Sequence, residues 1–507
     1  MSFKVNSLYL SDGYKVGHKA MLADGTTRLY GTWIPRSTKH APKGVTKIVS
    51  FGQQMTWKWL HDEFQENFFD LKWSEASKFV KDMSLYLGME YDGKHFEELH
   101  KLQYLPIRAK ALPEGIETNP NIPHMTFINT VDGFAWLTLY LETIVSSLAW
   151  KPSTAATIAK LYRRQAEEWV MKTDPERMWL VDWMCHDFSA RGLDPMSQYL
   201  IGLGHATSFK GSDTLPVIPA SRYFYGVGED EMPIGSVNAS EHSVSTTKIF
   251  TVGEQQMIAD WLQVFPKGIL SIVSDTFDLW KLITEYLPAN KEAIMARDGK
   301  LVIRPDSGDP VDIICGTNSD VNANTYHQDA KGKGVIELLW DIFGGTINEQ
   351  GYKVLDPHIG AIYGDSITLD RQIQIYQRLE SKGFAATNIV LGVGSFTYQM
   401  NTRDTFGFAA KGAWFEVLET KTTDYGNPGT EVPVRVKVGY DIYKDPVTDD
   451  GTKKSLKGLI CVTEDHEVLT QCTWEQEGQG ILQTIYEEGR FDNETSLGEI
   501  RERLNKL

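Results

Sequence analysis

Cysteine is scarce in this chain, with four in 507 residues. Cys185, Cys315, Cys461 and Cys472 are scattered without the short paired spacing of a zinc site or a disulfide framework, so neither is expected, and a reduced, cytoplasmic setting is. Basic excess is lacking too. Lys and Arg number 51 against 67 Asp and Glu, a formal net charge of −16, which argues against general binding to nucleic acid or to anionic membranes. Long hydrophobic runs are also missing. The opening MSFKVNSLYLSDGYKVGHK has no uninterrupted apolar core of the signal-peptide kind. The most apolar stretch, Phe134 to Trp150, carries Glu142 and falls short of a bilayer span. No membrane segment is expected, and no internal repeat or low-complexity tract is visible.

What is present is the composition of an ordinary globular protein, 41% hydrophobic and 23% charged. The length exceeds what one hydrophobic core usually supports, so two joined domains are expected. Four apolar runs without alternation end in short polar turns: Ile269 to Asp275, Leu301 to Asp306, Ile359 to Asp365 and Ile389 to Ser395. Such runs suit strands covered on both faces, and the stretches between them have room for helices. The expected fold class is α/β: an irregular, TIM-like α/β barrel over 151–395. It is joined to a mixed α+β domain with a largely antiparallel sheet, built from 1–150 and 396–507. In that second domain, Ile48 to Phe51 and Ile107 to Ala111 read as strands. Apolar residues at helical spacing predict a helix over Phe134 to Ala149 that stops before Pro152. In a barrel of parallel strands the polar turns converge at the carboxyl edge, where active sites form.

Those turns carry groups suited to anions and metals. Arg304-Pro-Asp306-Ser-Gly offers a guanidinium and a carboxylate directly after a strand, although a polar turn with an Arg–Asp pair has the same appearance. Gly364-Asp365 and Gly392-Val-Gly394-Ser395 allow close backbone approach to an anion. Cys185-His-Asp-Phe188-Ser-Ala-Arg191-Gly brings an aromatic face near a guanidinium, suited to stacking a flat ring beside an anion, while a core position for Phe188 is the commoner fate. Asp213, in Phe209-Lys-Gly-Ser-Asp-Thr, reads as a turn residue or a ligand group. Glu241 and His242 are adjacent and fit no metal spacing, and His242 reads as a structural histidine or a phosphoryl acceptor.

Taken with Asp12-Gly-Tyr14-Lys-Val-Gly-His18, Trp136-Leu-Thr, Glu142-Thr-Ile, Ser240-Glu-His242-Ser, Ser274-Asp275, Thr402-Arg403-Asp and Lys444-Asp-Pro-Val, these segments resemble the nicotinate/nicotinamide phosphoribosyltransferase family over nearly the whole chain. Its nicotinamide-using members are the nearest match. The resemblance implies attack of nicotinamide on C1 of phosphoribosyl pyrophosphate, giving nicotinamide mononucleotide and pyrophosphate in NAD salvage. Mg²⁺ is implied as cofactor, carried mainly by pyrophosphate near Asp275 and Asp306, and ATP as a coupled co-substrate acting through a phosphorylated His242, with Glu241 orienting the ring. It further implies His242, Asp275, Arg304 and Asp306 as catalytic residues.

For the substrates, the resemblance implies Phe188 and a partner subunit's Tyr14 as the two faces around the ring and Asp213 as acceptor for the carboxamide. Asp12, Arg191, Ser236, Gly364, Asp365, Gly394 and Ser395 are implied as further substrate contacts. Arg36, Arg403, Lys411, Lys444 and Lys453 are implied to reach phosphates in the partner's site, which makes a homodimer with shared active sites. The sequence departs from the family pattern at Ala190, at Ala409, in the turn Gly392 to Phe396 and in an inserted stretch from Glu419 to Pro433. The alternatives are nicotinate phosphoribosyltransferase, which an acidic Asp213 disfavours, and a non-catalytic binding or signalling protein on the same fold.

Overall fold

A computed structural model describes residues 4–317, 329–364, 366–424, 431–444, 447 and 456–506. The chain divides into two compact units. One comprises Met1–Thr157, Arg222–Gly226 and Thr402–Leu507; the other comprises Ile158–Ser221 and Val227–Asn401.

The first unit is built on a seven-stranded antiparallel sheet. Its order is Glu431–Asp441, Ala409–Asp424, Thr26–Ile34, Met125–Asn129, Ile107–Ala111, Gln483–Glu487 and Arg490–Phe491. The strand expected at Ile107–Ala111 alternates buried and half-buried residues, the pattern of a strand with one face on a core. Tyr30, Ile128, Trp414 and Ile460 pack in one such cluster. Strand Ala409–Asp424 pairs with Glu431–Asp441 as a long hairpin.

The helix expected to stop before Pro152 instead runs Ala135–Thr173 with the proline inside it. A proline in a helix interior forfeits a hydrogen bond and costs about 3 kcal/mol. Past it, Ala156, Ile158, Tyr162, Ala166 and Val170 are all buried, and each fully buried large apolar side chain contributes roughly 1.5–3 kcal/mol, which outweighs that cost. Ser153 Oγ also donates to Val49 O at 2.6 Å, and Val49 N donates to Thr157 Oγ1 at 2.9 Å, fixing the turn that follows the proline.

The second unit carries a curled sheet of seven parallel strands. Its order is Gly211–Ser212, Cys185–Phe188, Ile389–Gly394, Ile359–Tyr363, Asp298–Arg304, Lys267–Val273 and Asn238–Ala239. Gly235, just ahead of the strand at one edge, bridges Gly211 on the strand at the other, so the sheet nearly closes on itself. The four apolar runs are strands of this sheet, and Ile359–Tyr363 is buried at every position. Helices follow several strands and are started by side-chain caps: Asp194 accepts from Ser197 N ahead of Pro195–Ala206, and Thr368 accepts from Arg371 N ahead of Leu369–Ser381. The four cysteines are free, three of them buried. Among the described residues no helix is long and apolar enough to cross a membrane.

Candidate functional site

Because all seven strands of this sheet are parallel, their carboxyl ends lie on one edge. Phe188, Asp213, Ser240, Asp275, Arg304, Gly364 and Ser395 each end a strand or follow within two residues of one. A cavity of about 540 Å³ reaches three of them, Phe188, Asp213 and Arg304, and is lined also by Ser236, His186, Lys300 and apolar groups that include Trp183 and Val237. It holds a flat ring's worth of apolar wall and few charges, as small-molecule sites do.

Arg304 places its guanidinium 5.0 Å from the centre of the Phe188 ring. Nη1 donates to Ser240 O at 3.4 Å, and Nε is buried with no hydrogen-bond acceptor among the described residues. The backbone beneath is pinned separately: Arg304 N donates to Ser274 Oγ at 3.2 Å, and Ser274 N donates to Arg304 O at 3.0 Å. Two glycines make room for this pair. A Cβ on Gly364 would lie 2.8 Å from Arg304 Nε, and one on Gly392 would lie 2.7 Å from Phe188 Cδ2.

Asp213 carries the negative charge in the cavity. His186 Nε2 lies 2.9 Å from its Oδ1, and Ser236 Oγ donates to the same oxygen. Burial acts to raise this carboxyl, but the bonds from His186 and Ser236 and the positive charge of Arg304 outweigh it, holding Asp213 below the ordinary carboxylate range.

Beside the cavity stands a cluster of His242, Asp275 and Asp306. Their ligand atoms lie within 4.8 Å of one another. His242 Nε2 is 3.1 Å from Asp306 Oδ1 and 3.7 Å from Asp275 Oδ1, while Nδ1 is 3.1 Å from Thr276 Oγ1. Asp275 Oδ2 accepts from the backbone N–H groups of Asp306 and Ser307 at 3.0 and 2.8 Å, which locks the two acidic turns together. Its Oδ1 is buried without a hydrogen bond among the described residues, in a side chain only 8% exposed. A buried carboxylate oxygen left without a donor fits a cation, so the residues present suit a divalent metal.

One expectation is corrected here. Glu241 does not orient His242; Thr276 and Asp306 do, and Glu241 accepts from Arg191 Nη2 at 3.2 Å. Glu241 precedes the first residue of helix His242–Val252, and at the helix entrance its side chain turns toward Arg191 instead of the adjacent ring. Arg191, expected as a substrate contact, has a 91% exposed side chain and does not line the cavity. It sits in the short turn Ala190–Gly192 after the strand. Gly394 ends strand Ile389–Gly394, and Ser395 opens the next helix. Asp365 and Lys453 lie outside the described residues.

The first unit holds a cavity of its own, about 560 Å³, lined by Asp12, Tyr14, Arg36, Arg403, Lys411 and Lys444 among others. Six residues that the resemblance assigned to a shared site thus gather in one cleft. Thr143 Oγ1 donates to Asp12 Oδ2 at 2.6 Å, and Arg36 Nε donates to Gly407 O at 2.9 Å. Sequence reading missed Lys15 in this cleft, whose Nζ pairs with Glu142 Oε2 at 2.7 Å deep in the wall. Burial pushes the Lys411 ammonium down; Glu142 opposes this, and Arg36, Lys444 and Lys15 push it further. A cleft whose other cations depress Lys411 gains from binding an anion. His186 and Thr276 were likewise missed as site residues, although each stands within two residues of a group singled out in the sequence.

Comparison with known proteins places the chain and its fold in one group. The model of the nicotinate phosphoribosyltransferase (NAPRTase) family matches residues 183–477. A protein of Acinetobacter baylyi named nicotinamide phosphoribosyltransferase is 40% identical over 99% of this chain and 98% of its own length. A Mycoplasma genitalium protein of the same name is 29% identical over 84% of this chain and 94% of its own length. Among solved structures, human nicotinic acid phosphoribosyltransferase superposes with a TM-score of 0.54 at 15% identity, covering 97% of this chain and 92% of that one. The nicotinate-nucleotide pyrophosphorylase of Pyrococcus furiosus gives 0.54 at 14%, covering 98% and 94%. At those identities the structures speak for a shared α/β architecture. With more than half its length matched by the family model and a full-length relative at 40% identity, this chain belongs to the nicotinate phosphoribosyltransferase family.

Proposed function

We propose that this protein is a nicotinamide phosphoribosyltransferase of NAD salvage. The pyridine nitrogen of nicotinamide bonds to C1 of phosphoribosyl pyrophosphate as the bond from C1 to the pyrophosphate oxygen breaks, and pyrophosphate leaves. The observation that carries the choice of substrate is Asp213, a carboxylate held ionised in the same cavity wall as Phe188. An ionised acceptor there receives the N–H of a carboxamide and repels the carboxylate of nicotinate. The name of the relative at 40% identity supports the same reading.

In this mechanism Phe188 carries the ring and Arg304 supplies fixed positive charge beside it, where negative charge builds on the departing pyrophosphate. Asp275 and Asp306 face the cationic character that grows on the ribose. The same two carboxylates would hold Mg²⁺, since that ion prefers oxygen ligands. When bound, the ion neutralises charge on pyrophosphate. His242 accepts the γ-phosphoryl group of ATP: a nitrogen–phosphorus bond forms as the bond to the ADP oxygen breaks, and hydrolysis of that phosphohistidine is coupled to synthesis. Asp306 and Thr276 fix the ring for this step. In the same proposal the enzyme is a cytoplasmic homodimer. The cationic cleft of Arg36, Arg403, Lys411 and Lys444, with Tyr14 at its edge, completes the phosphate and ring site of a second copy.

The test is pyrophosphate release from phosphoribosyl pyrophosphate and Mg²⁺ with nicotinamide present or omitted, each with and without ATP. Release that depends on nicotinamide and rises with ATP supports the proposal. Release unaffected by nicotinamide, or none, overturns it.

A further inference from the structure

Asp213 has two oxygens, and their surroundings differ. Oδ1 takes both internal donors, His186 Nε2 at 2.9 Å and the hydroxyl of Ser236. Oδ2 has no hydrogen bond among the described residues, while the side chain as a whole is 41% exposed to the cavity. The two donors come from different parts of the sheet: His186 lies on strand Cys185–Phe188, and Ser236 on the segment leading to Asn238–Ala239. Asp213 itself follows strand Gly211–Ser212, with its backbone N–H tied to Asp187 O at 3.0 Å. His186 is in turn fixed over Phe188, ring centres 4.6 Å apart and planes at 34°. Its Nε2 faces a carboxylate, so that nitrogen carries the proton.

A carboxylate gripped on one oxygen from two sides cannot rotate or swing without losing both bonds. Arg304, whose charge acts on Asp213, is the competing partner toward which a released carboxylate would turn. We infer that His186 and Ser236 are positioning residues that set amide-over-acid specificity: by occupying Oδ1 they leave Oδ2 as the acceptor presented to the substrate's carboxamide. This rests on the proposed nicotinamide site and adds to it two residues whose action runs through Asp213. The same two bonds favour the ionised carboxyl. A neutral Asp213 would be able to donate to nicotinate, and discrimination would be lost from the other direction.

The experiment measures kcat/KM for nicotinamide and for nicotinate in the parent enzyme, His186→Leu, His186→Gln, Ser236→Ala and Ser236→Thr. A charge-assisted hydrogen bond is worth enough that its loss should lower the nicotinamide-to-nicotinate ratio about tenfold in His186→Leu and in Ser236→Ala. Gln and Thr each keep a donor and should restore most of the ratio. The KM for phosphoribosyl pyrophosphate should stay within about twofold throughout. If both donor-lacking variants turn over nicotinamide with an unchanged ratio, the inference fails while the proposed function stands. If the conservative variants lose the ratio as fully as Leu and Ala do, the residues act by packing and the inference also fails. A parent enzyme that uses neither base overturns the function itself, a result distinct from both.

Discussion

Replacing Arg304 with Ala isolates the group that the proposed chemistry depends on most. Its guanidinium lies 5.0 Å from the Phe188 ring, and its buried Nε has no acceptor among the described residues, so a donor is already desolvated before substrate arrives. A preorganised contact of this kind contributes roughly 2.7–4 kcal/mol to a transition state. At about 1.4 kcal/mol per tenfold, a loss of ~3 kcal/mol slows kcat/KM by roughly 150-fold. The fold should survive, because the strand is held through Arg304 N, Arg304 O and Ser274, none of which involves the side chain. Steady-state rates for phosphoribosyl pyrophosphate, with circular dichroism to verify folding, make the measurement. A folded variant within threefold of the parent would remove Arg304 from the mechanism and refute the reasoning that its buried Nε, without an acceptor among the described residues, marks a transition-state contact.

Other consequences are more local. His242→Ala should retain basal mononucleotide synthesis and lose its stimulation by ATP; stimulation that persists would reject the phosphohistidine. Gly392→Ala puts a methyl group 2.7 Å from Phe188 Cδ2 and 2.7 Å from Tyr363 O, so the ring must tilt, and the KM for nicotinamide should rise about tenfold with kcat less affected. Glu114 is buried and its carboxyl is pushed up to about 7 despite bonds from Gly52 N and Gln54 N. The folded state therefore binds more protons than the unfolded chain between about pH 4.5 and 7, and this group's contribution to stability falls as pH rises through that window. His95 and His124, whose imidazoles burial pushes down to about 3, act oppositely as pH falls below about 6.5, so the informative quantity is the difference between Glu114→Gln and parent. Urea unfolding should show the variant gaining stability relative to parent from pH 5 to pH 8, by up to ~3 kcal/mol; a constant difference would contradict the assignment.

The second unit's strands were legible because burial on both faces leaves continuous apolar runs. Ile359–Tyr363 and Ile389–Gly394 begin where the sequence placed them, and the other two begin two or three residues earlier, at Lys267 and Asp298, where polar residues mask the start. Strands Gly211–Ser212 and Asn238–Ala239 are too short for any periodicity to register, yet they carry Asp213 and His242 to the sheet edge. Pro152 misled because a local rule about proline cannot weigh the burial that follows it. Within the site, the Arg304, Asp306 and Asp275 turns were readable from chemistry at strand ends. The role of His186 was not, since its Nε2 meets a carboxylate 27 positions away that only the sheet brings beside it. Glu241 misled for the converse reason: adjacency in sequence to His242 is not adjacency of side chains.

The most direct test of the central claim offers the purified chain equal concentrations of nicotinamide and nicotinate with phosphoribosyl pyrophosphate, Mg²⁺ and ATP, and identifies the products by mass. The account predicts nicotinamide mononucleotide in large excess, with the excess collapsing in Asp213→Asn. Nicotinate mononucleotide as the main product, or a preference for nicotinamide that Asp213→Asn leaves unchanged, would contradict it.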